Sequence, residues 1–183
     1  MPDCMPSSFI EFNTMKTTIS TPNNIDIQVN PTRFKWAQKI INLPGVHFLS
    51  WLGIAIGAPY SANIRPHFTH VSPGHLELSM KKRRAVCNHM NTVHAVAMAN
   101  LIELTAAATI VANIPSSARW IPSGMNIQYL KKAKTNLHSI CKLDMPDWHI
   151  KQDLDIKVSL FDINNEEVAR GTVSIRVGPK LKK

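Results

Sequence analysis

NHMNTVHAVAMANLIELTAAATIVANI, residues 88–114, is the stretch on which the fold turns. From Val93 to Ile114 it holds neither Pro nor Gly and is rich in Ala, Leu and Met, which predicts one helix roughly 33 Å long, enough to cross a small domain. Pro115, with Ser116 and Ser117, stops it. Nearly every face of this helix is apolar or small, so it should be enclosed by other structure rather than lie on a surface. Yet Glu103 stands in its middle, where a carboxylate is costly unless something pairs with it or uses it. Asn88, Asn91, Thr92 and His94 crowd its start, where unpaired N–H groups and the helix dipole favour developing negative charge. An acid inside a helix, combined with an anion-stabilising helix start, points to catalysis. A membrane-spanning reading is opposed by Glu103, His94, Asn100 and the many Ala and Thr residues.

The pattern Asn88-x5-His94-x8-Glu103 resembles the signature of the hotdog-fold acyl-CoA thioesterases of the phenylacetate-degradation type, which reads N-x-x-G-x-x-H-G-G with an acid nine residues after the His. Met125 to Leu130, followed by Lys131, Lys132 and Ala133, looks like the strand that follows the helix in that family. The likeness spans roughly residues 60–178. It departs from the family at Asn91, which replaces the first Gly, and at Ala95-Val96, which replaces the Gly pair. A backbone N–H survives at Ala95, whereas the bulkier Val96 narrows the approach of a substrate. Pro122 falls where some relatives carry a polar residue, with Ser123 one step off register.

The resemblance implies an α+β hotdog fold, an antiparallel sheet wrapped around one long central helix, here with extra N-terminal helices. It implies hydrolysis of an acyl-CoA thioester at sites shared by two subunits whose helices run antiparallel, in a homodimer or a homotetramer. Coenzyme A enters only as part of the substrate; no cofactor and no metal are expected. Glu103 is then the general base or nucleophile, and the Ala95 N–H polarises the thioester carbonyl. Asn88 orients water or the carbonyl, and His94 supports the loop or bonds the acyl group. Val96 and Ser123 line the substrate site. Arg83, Arg84, Lys131 and Lys132 are candidates for the coenzyme A phosphates.

Spacing alone calls for a second chain. In an ideal helix Glu103 shares a face with Val96, Ala99, Asn100, Ala106 and Ala107, while His94 and Ala95 lie about 12–13 Å back along the axis. Other readings remain open. Glu103 could pair structurally with Arg83, Arg84 or a partner's base. The same pocket could serve a non-catalytic acyl-CoA or acyl-carrier binding module, or a hydratase.

The rest of the chain is consistent with one globular domain. It has 183 residues, 44% of them hydrophobic and 18% charged, with a net charge of +9. The basic runs Lys81–Arg84, Lys131–Lys134 and the C-terminal lysines lack interleaved aromatics, which disfavours a nucleic-acid partner. Cys4, Cys87 and Cys141 are odd in number and show no C-x-x-C spacing, so a reduced, cytoplasmic setting is expected. Residues 1–30 read as a flexible leader without the features of a secretory signal. Residues 31–59 read as helices packed on the core, one from Thr32 and one from Val46 to Ala58; membrane contact by them is the less favoured alternative. Strands are expected at Asn63–Val71, His75–Val86, Arg119–Leu130, Asn136–Asp144, Leu154–Asn164 and Glu167–Val177, the last two joined as a hairpin. Residues 60–178 thus form the hotdog domain and 179–183 a basic tail.

Overall fold

The computed structural model of this chain describes residues 46–180, with Lys39 and Ile41. The leader 1–30, most of the helix read from Thr32, and the last three residues of the tail lie outside the described residues. The apolar run before Pro59 forms α1 (Val46–Gly57). Ile54 is buried and the Trp51 Nε1–H donates to the Ala62 carbonyl at 3.0 Å, which fastens α1 to the 3-10 turn Ser61–Ile64.

That turn replaces the expected beginning of the first strand. Ala62 and Ile64 bury their side chains through it, Arg65 takes a left-handed conformation, and Pro66 offers no ladder donor. Strand β1 therefore starts only at His67 and runs to Ser72. Strand β2 (His75–Met80) is likewise shorter than its expected span to Val86. Its alternation of buried Leu76, Leu78 and Met80 with half-buried neighbours ends at Met80. Four consecutive cations follow and the chain leaves the sheet, closing into a 3-10 turn at Arg84–Val86. Between β1 and β2, Gly74 sits at φ 68°, where a Cβ would come within 2.5 Å of the Leu143 carbonyl oxygen.

The long helix is α2 (Ala95–Asn113), one or two residues shorter at each end than the sequence suggests. After it come β3 (Ala118–Tyr129), β4 (Leu137–Lys142), β5 (Gln152–Phe161) and β6 (Glu167–Pro179). All six strands form one antiparallel sheet in the order β1-β2-β4-β5-β6-β3. The expected β5–β6 hairpin is present. Asp162 Oδ1 accepts the backbone N–H groups of Asn164 (2.8 Å) and Glu166 (3.0 Å), with Asn165 left-handed between them.

The sheet curls around α2 with its inner face made by Leu76, Leu78, Leu137, Cys141, Ile156, Val158, Leu160, Val173 and Ile175, all buried. Leu101, Ile102, Ala106 and Ile110 of α2 complete this core. Three polar side chains enter it satisfied. Thr105 Oγ1 donates to the Leu101 carbonyl and meets Ser139 Oγ at 2.7 Å, and Thr109 Oγ1 donates to the Thr105 carbonyl. Asn113 anchors the far end of α2, its Oδ1 accepting the Gly74 N–H at 3.1 Å. By length and apolarity α2 could cross a membrane, but the sheet of its own domain encloses half of it. The α+β architecture of a sheet wrapped around one long helix is the expected one.

Candidate active site

Two features of the fold place chemistry-bearing groups: the start of α2 and an uncovered stripe along its length.

At the start, the loop Asn88–Thr92 folds back on itself. The Asn88 carboxamide oxygen accepts the N–H groups of Met90 (3.0 Å) and Thr92 (3.1 Å), while its Nδ2 donates to Thr92 Oγ1 at 2.9 Å. Asn91 sits at φ 54°, the conformation that explains why the resembled signature has Gly there. A bridge between Cys87 and Val93, together with bonds from the Val93 N–H to Ala133 and from the His94 N–H to Val86, clamps the loop beneath the helix. Asn88 thus spends its hydrogen bonds shaping this loop.

His94 is the N-cap of α2, its Nδ1 accepting the Val96 N–H at 3.1 Å. Its carbonyl takes the N–H groups of Ala97 and Met98. The remaining first-turn donor, the Ala95 N–H, has no acceptor among the described residues. Val96 is 55% exposed immediately beside it. The Tyr129 hydroxyl, unremarked in the sequence, donates to the Ala95 carbonyl at 3.2 Å and holds the end of β3 against this turn.

Along α2, the exposed Val96 and Val111 are joined by the half-buried Asn100, Glu103 and Ala107, at steps of three and four. Ala106, expected on the same face as Glu103, is instead fully buried: a 100° step per residue carries it round to the sheet. Glu103 is half-buried among small and apolar neighbours, and no base pairs with it among the described residues. The structural ion pair with Arg83 or Arg84 is not formed. Burial lifts the Glu103 carboxyl above its ordinary value of 4.5.

The inner face of β3 continues this uncovered surface. A bulge between Pro122 and Gly124 puts Trp120 and Pro122 on the same side as Met125, Ile127 and Tyr129, since these pair with the inward residues of β6. Met125 and Tyr129 are 46% and 48% exposed. Ile102 of α2 comes down on Gly171 of β6, the partner of Ile127 in β3. Ser123 lies at the bulge, its hydroxyl donating to the Ser174 carbonyl at 3.1 Å. It is six residues, about 20 Å, from Tyr129 and the helix start.

The basic candidates converge on the helix start. Lys82, Arg83, Arg84, Cys87, Asn88, His89 and Asn91 line a cleft of about 570 Å³. Arg83 donates from Nη2 to the Asn63 carbonyl, and burial followed by repulsion from Arg65 weakens its hold on its proton. Lys131 and Lys132 are exposed, Lys131 in an ion pair with Glu166 at 3.1 Å. The bond from Val93 to Ala133 brings their segment alongside the loop. Cys87 joins the lining of this cleft; its contribution, like that of Lys82 and His89, carried no signal in the sequence beyond the charge run. Among the described residues no group of three or more His, Cys, Asp or Glu is arranged to hold a metal.

The single chain unites Asn88, His94, Ala95, Val96 and the basic cleft. It does not bring Glu103 to them, because eight residues of helix separate Ala95 from Glu103, about 12 Å.

Comparison with known proteins bears on this arrangement. The family model described as Domain of unknown function (DUF4442) matches residues 47–177. A structural-genomics crystal structure of no stated activity is 33% identical, with a TM-score of 0.69 over 82% of this chain and 98% of its own. A thioesterase from Haemophilus influenzae is similar at 8% identity, with a TM-score of 0.62 over 72% of this chain and 90% of its own. A Pseudomonas aeruginosa protein of unknown function, named a probable thioesterase, is similar at 19% identity, with a TM-score of 0.64 over 75% and 97%. At those identities the last two show a shared fold, the hotdog fold. No protein of curated function matches the sequence. With the family model covering the helix, the loop before it and every strand, the chain belongs to the family described as Domain of unknown function (DUF4442), in a hotdog fold.

Proposed function

We propose that this protein hydrolyses acyl-CoA thioesters, with Glu103 of one subunit and the Ala95 N–H of its partner acting on the same acyl carbon. The observation that carries the reading is Glu103 itself. It is a carboxyl that no base meets among the described residues, raised by burial, on a helix stripe that the described part of the chain covers only in part. An unpaired acid in such a place is unfavourable unless it has a use. The unpaired Ala95 N–H supplies the second requirement, a donor for the developing oxyanion. The thioesterases that share the fold and the likeness of the Asn88–Glu103 spacing support the same chemistry.

In this reaction Glu103 takes a proton from water as the water oxygen bonds to the acyl carbon. Charge gathers on the carbonyl oxygen against the Ala95 N–H. Collapse then breaks the C–S bond, and the proton passes from Glu103 to the departing thiolate. Loss of one oxyanion donor costs on the order of 3 kcal/mol, about a hundredfold in rate.

A homodimer follows from the 12 Å separation, and β3 is suited to making it. It is an edge strand of 12 residues, with one ladder unpaired among the described residues and Ile121, Met125 and Tyr129 exposed along it. Such a strand invites pairing with its own copy about a two-fold axis, which also sets the two α2 stripes antiparallel. The test is thiol release across short, medium, long and aromatic acyl-CoAs by wild-type protein and Glu103→Gln. A folded dimer that has lost turnover supports the proposal. Unchanged turnover in the variant removes Glu103 from the mechanism. Saturable acyl-CoA binding by wild type without thiol release would instead favour a binding module.

A further inference from the structure

Helix α1 (Val46–Gly57) turns only one of its faces to the core. Ile54 is buried, and the half-buried Trp51 is tied through its Nε1–H to the Ala62 carbonyl. The opposite face is apolar as well. Leu52 and Ile56, four residues apart, are exposed, Ile56 by 78%, and Tyr60 just past the helix is exposed by 70%. Gly53 and Gly57 run beside them, and a Cβ added at either would meet nothing within 4 Å among the described residues. The helix holds no Asp, Glu, Lys or Arg, whereas a helix that shields a core from water presents charged residues outward. A single exposed apolar side chain needs no explanation, but a whole uncharged face does.

Cations rim this face. The Ala62 carbonyl that accepts Trp51 also accepts the Arg65 N–H at 2.9 Å, which sets Arg65 beside α1. Arg83 reaches the same 3-10 turn through the Asn63 carbonyl and lies close enough to Arg65 for the two to repel. Carboxylates stay away: from Ile27 to Leu76 the sequence holds Arg33, Lys35, Lys39 and Arg65 and no Asp or Glu.

We infer that α1 docks this protein on a lipid bilayer with anionic headgroups. The helix lies in the plane of the surface, with Leu52, Ile56 and Tyr60 entering the interface and Arg65 and Arg83 against the headgroups. At 12 residues, about 18 Å, it is too short to cross a hydrocarbon core of about 30 Å. Tyr60 joins an apolar ring to a polar tip, which suits the boundary between acyl chains and water. A second copy is the poorer occupant. Pairing two such faces sets like-charged rims against each other, whereas anionic lipid neutralises them. The inference is independent of the hydrolase reading, because binding to lipid needs no turnover.

The test is sedimentation of the full-length protein with vesicles of phosphatidylcholine alone, or with about one-third phosphatidylserine. Affinity for the anionic vesicles should be at least about tenfold higher and should weaken as salt is raised. No retention on anionic vesicles, or equal retention on both kinds, overturns the inference.

Variants then locate the contact. Ile56→Glu should leave the melting temperature unchanged, because the position is exposed, and lower vesicle affinity at least about tenfold. Arg65→Glu should lower it about as much, with Arg65→Asn as the milder form, since Asn tolerates the left-handed backbone there. Arg119→Glu makes the same charge change at an exposed position on β3 and should cost less than about threefold. Equal losses from the two reversals would mean that the net charge of +9 holds the lipid and not this face, which overturns the inference. Self-association without lipid, read by light scattering and dissolved by Ile56→Glu, would also overturn it, because a second copy would then cover the face.

Discussion

Glu103 is a carboxyl whose surroundings disfavour its charge, and this has opposite consequences for stability and for turnover. Its pKa in the folded protein lies above the ordinary 4.5 because of burial. The native state therefore binds this proton more tightly than the unfolded state does. The resulting stabilisation is complete below the unfolded value and is lost as pH rises through the folded one. At neutral pH the ionised group is a liability, so Glu103→Gln should melt at a higher temperature than wild type while hydrolysing acyl-CoA at least about a hundredfold more slowly. A structural ion pair predicts the reverse for melting, so calorimetry on the variant separates the two. The pH profile gives an independent check. If Glu103 is the base, wild-type kcat/KM should climb with pH along a limb centred above the usual glutamate range, and any residual rate in the glutamine variant should lack that limb. Asn91 shows the same scale from the sequence side. Its place in the motif where Gly is usual is accounted for by φ 54°, a conformation that Asn tolerates better than most residues.

At the scale of elements, α2 and β6 meet closely at Gly171. A Cβ on Gly171 would lie 2.8 Å from Ile102 Cγ2 and 3.2 Å from the Asn126 carbonyl oxygen. Gly171→Ala should therefore lift the helix off the sheet and destabilise the protein by about 1–3 kcal/mol, read as a lower urea midpoint at unchanged m-value. Because Glu103 follows Ile102, turnover should fall as well. A midpoint equal to wild type would mean that the helix sits higher than described. Elements were legible where periodicity was strong. The long apolar helix, the alternating β2 and the β5–β6 hairpin follow from local pattern and turn chemistry. Less legible were the ends of β1 and β2. Whether Asn63–Pro66 and Lys81–Val86 continue a strand depends on what Ala62, Ile64 and Val86 find to bury against, which neighbours in sequence do not supply.

At the scale of the whole molecule, the exposed face of β3 and the uncovered stripe of α2 are surfaces that a second copy should cover. Met125 is 46% exposed in the single chain, so Met125→Lys should leave the fold intact. In the proposed dimer the same lysine would be desolvated in an apolar interface. Light scattering should then report monomers at concentrations where wild type is dimeric, and hydrolysis should disappear with the dimer. A variant that stays dimeric and active would place the interface elsewhere. The candidate site was only half legible at this scale. Its loop, cap, donor and acid could be named from spacing. Their separation along one helix could also be reckoned, because helix geometry converts residue number directly into distance.

Sequence by itself determined that one long apolar helix must be enclosed, that strands of alternating pattern must enclose it, and that Glu103 and Ala95 cannot meet within one chain. Each of these depends on local periodicity or on the rise of a helix, both of which are properties of consecutive residues. Only the tertiary structure decided that Glu103 has no base beside it among the described residues, and that the two basic runs converge at the helix start. These depend on which distant segments the sheet order β1-β2-β4-β5-β6-β3 brings together. Burial, unlike periodicity, is set by residues that are remote along the chain.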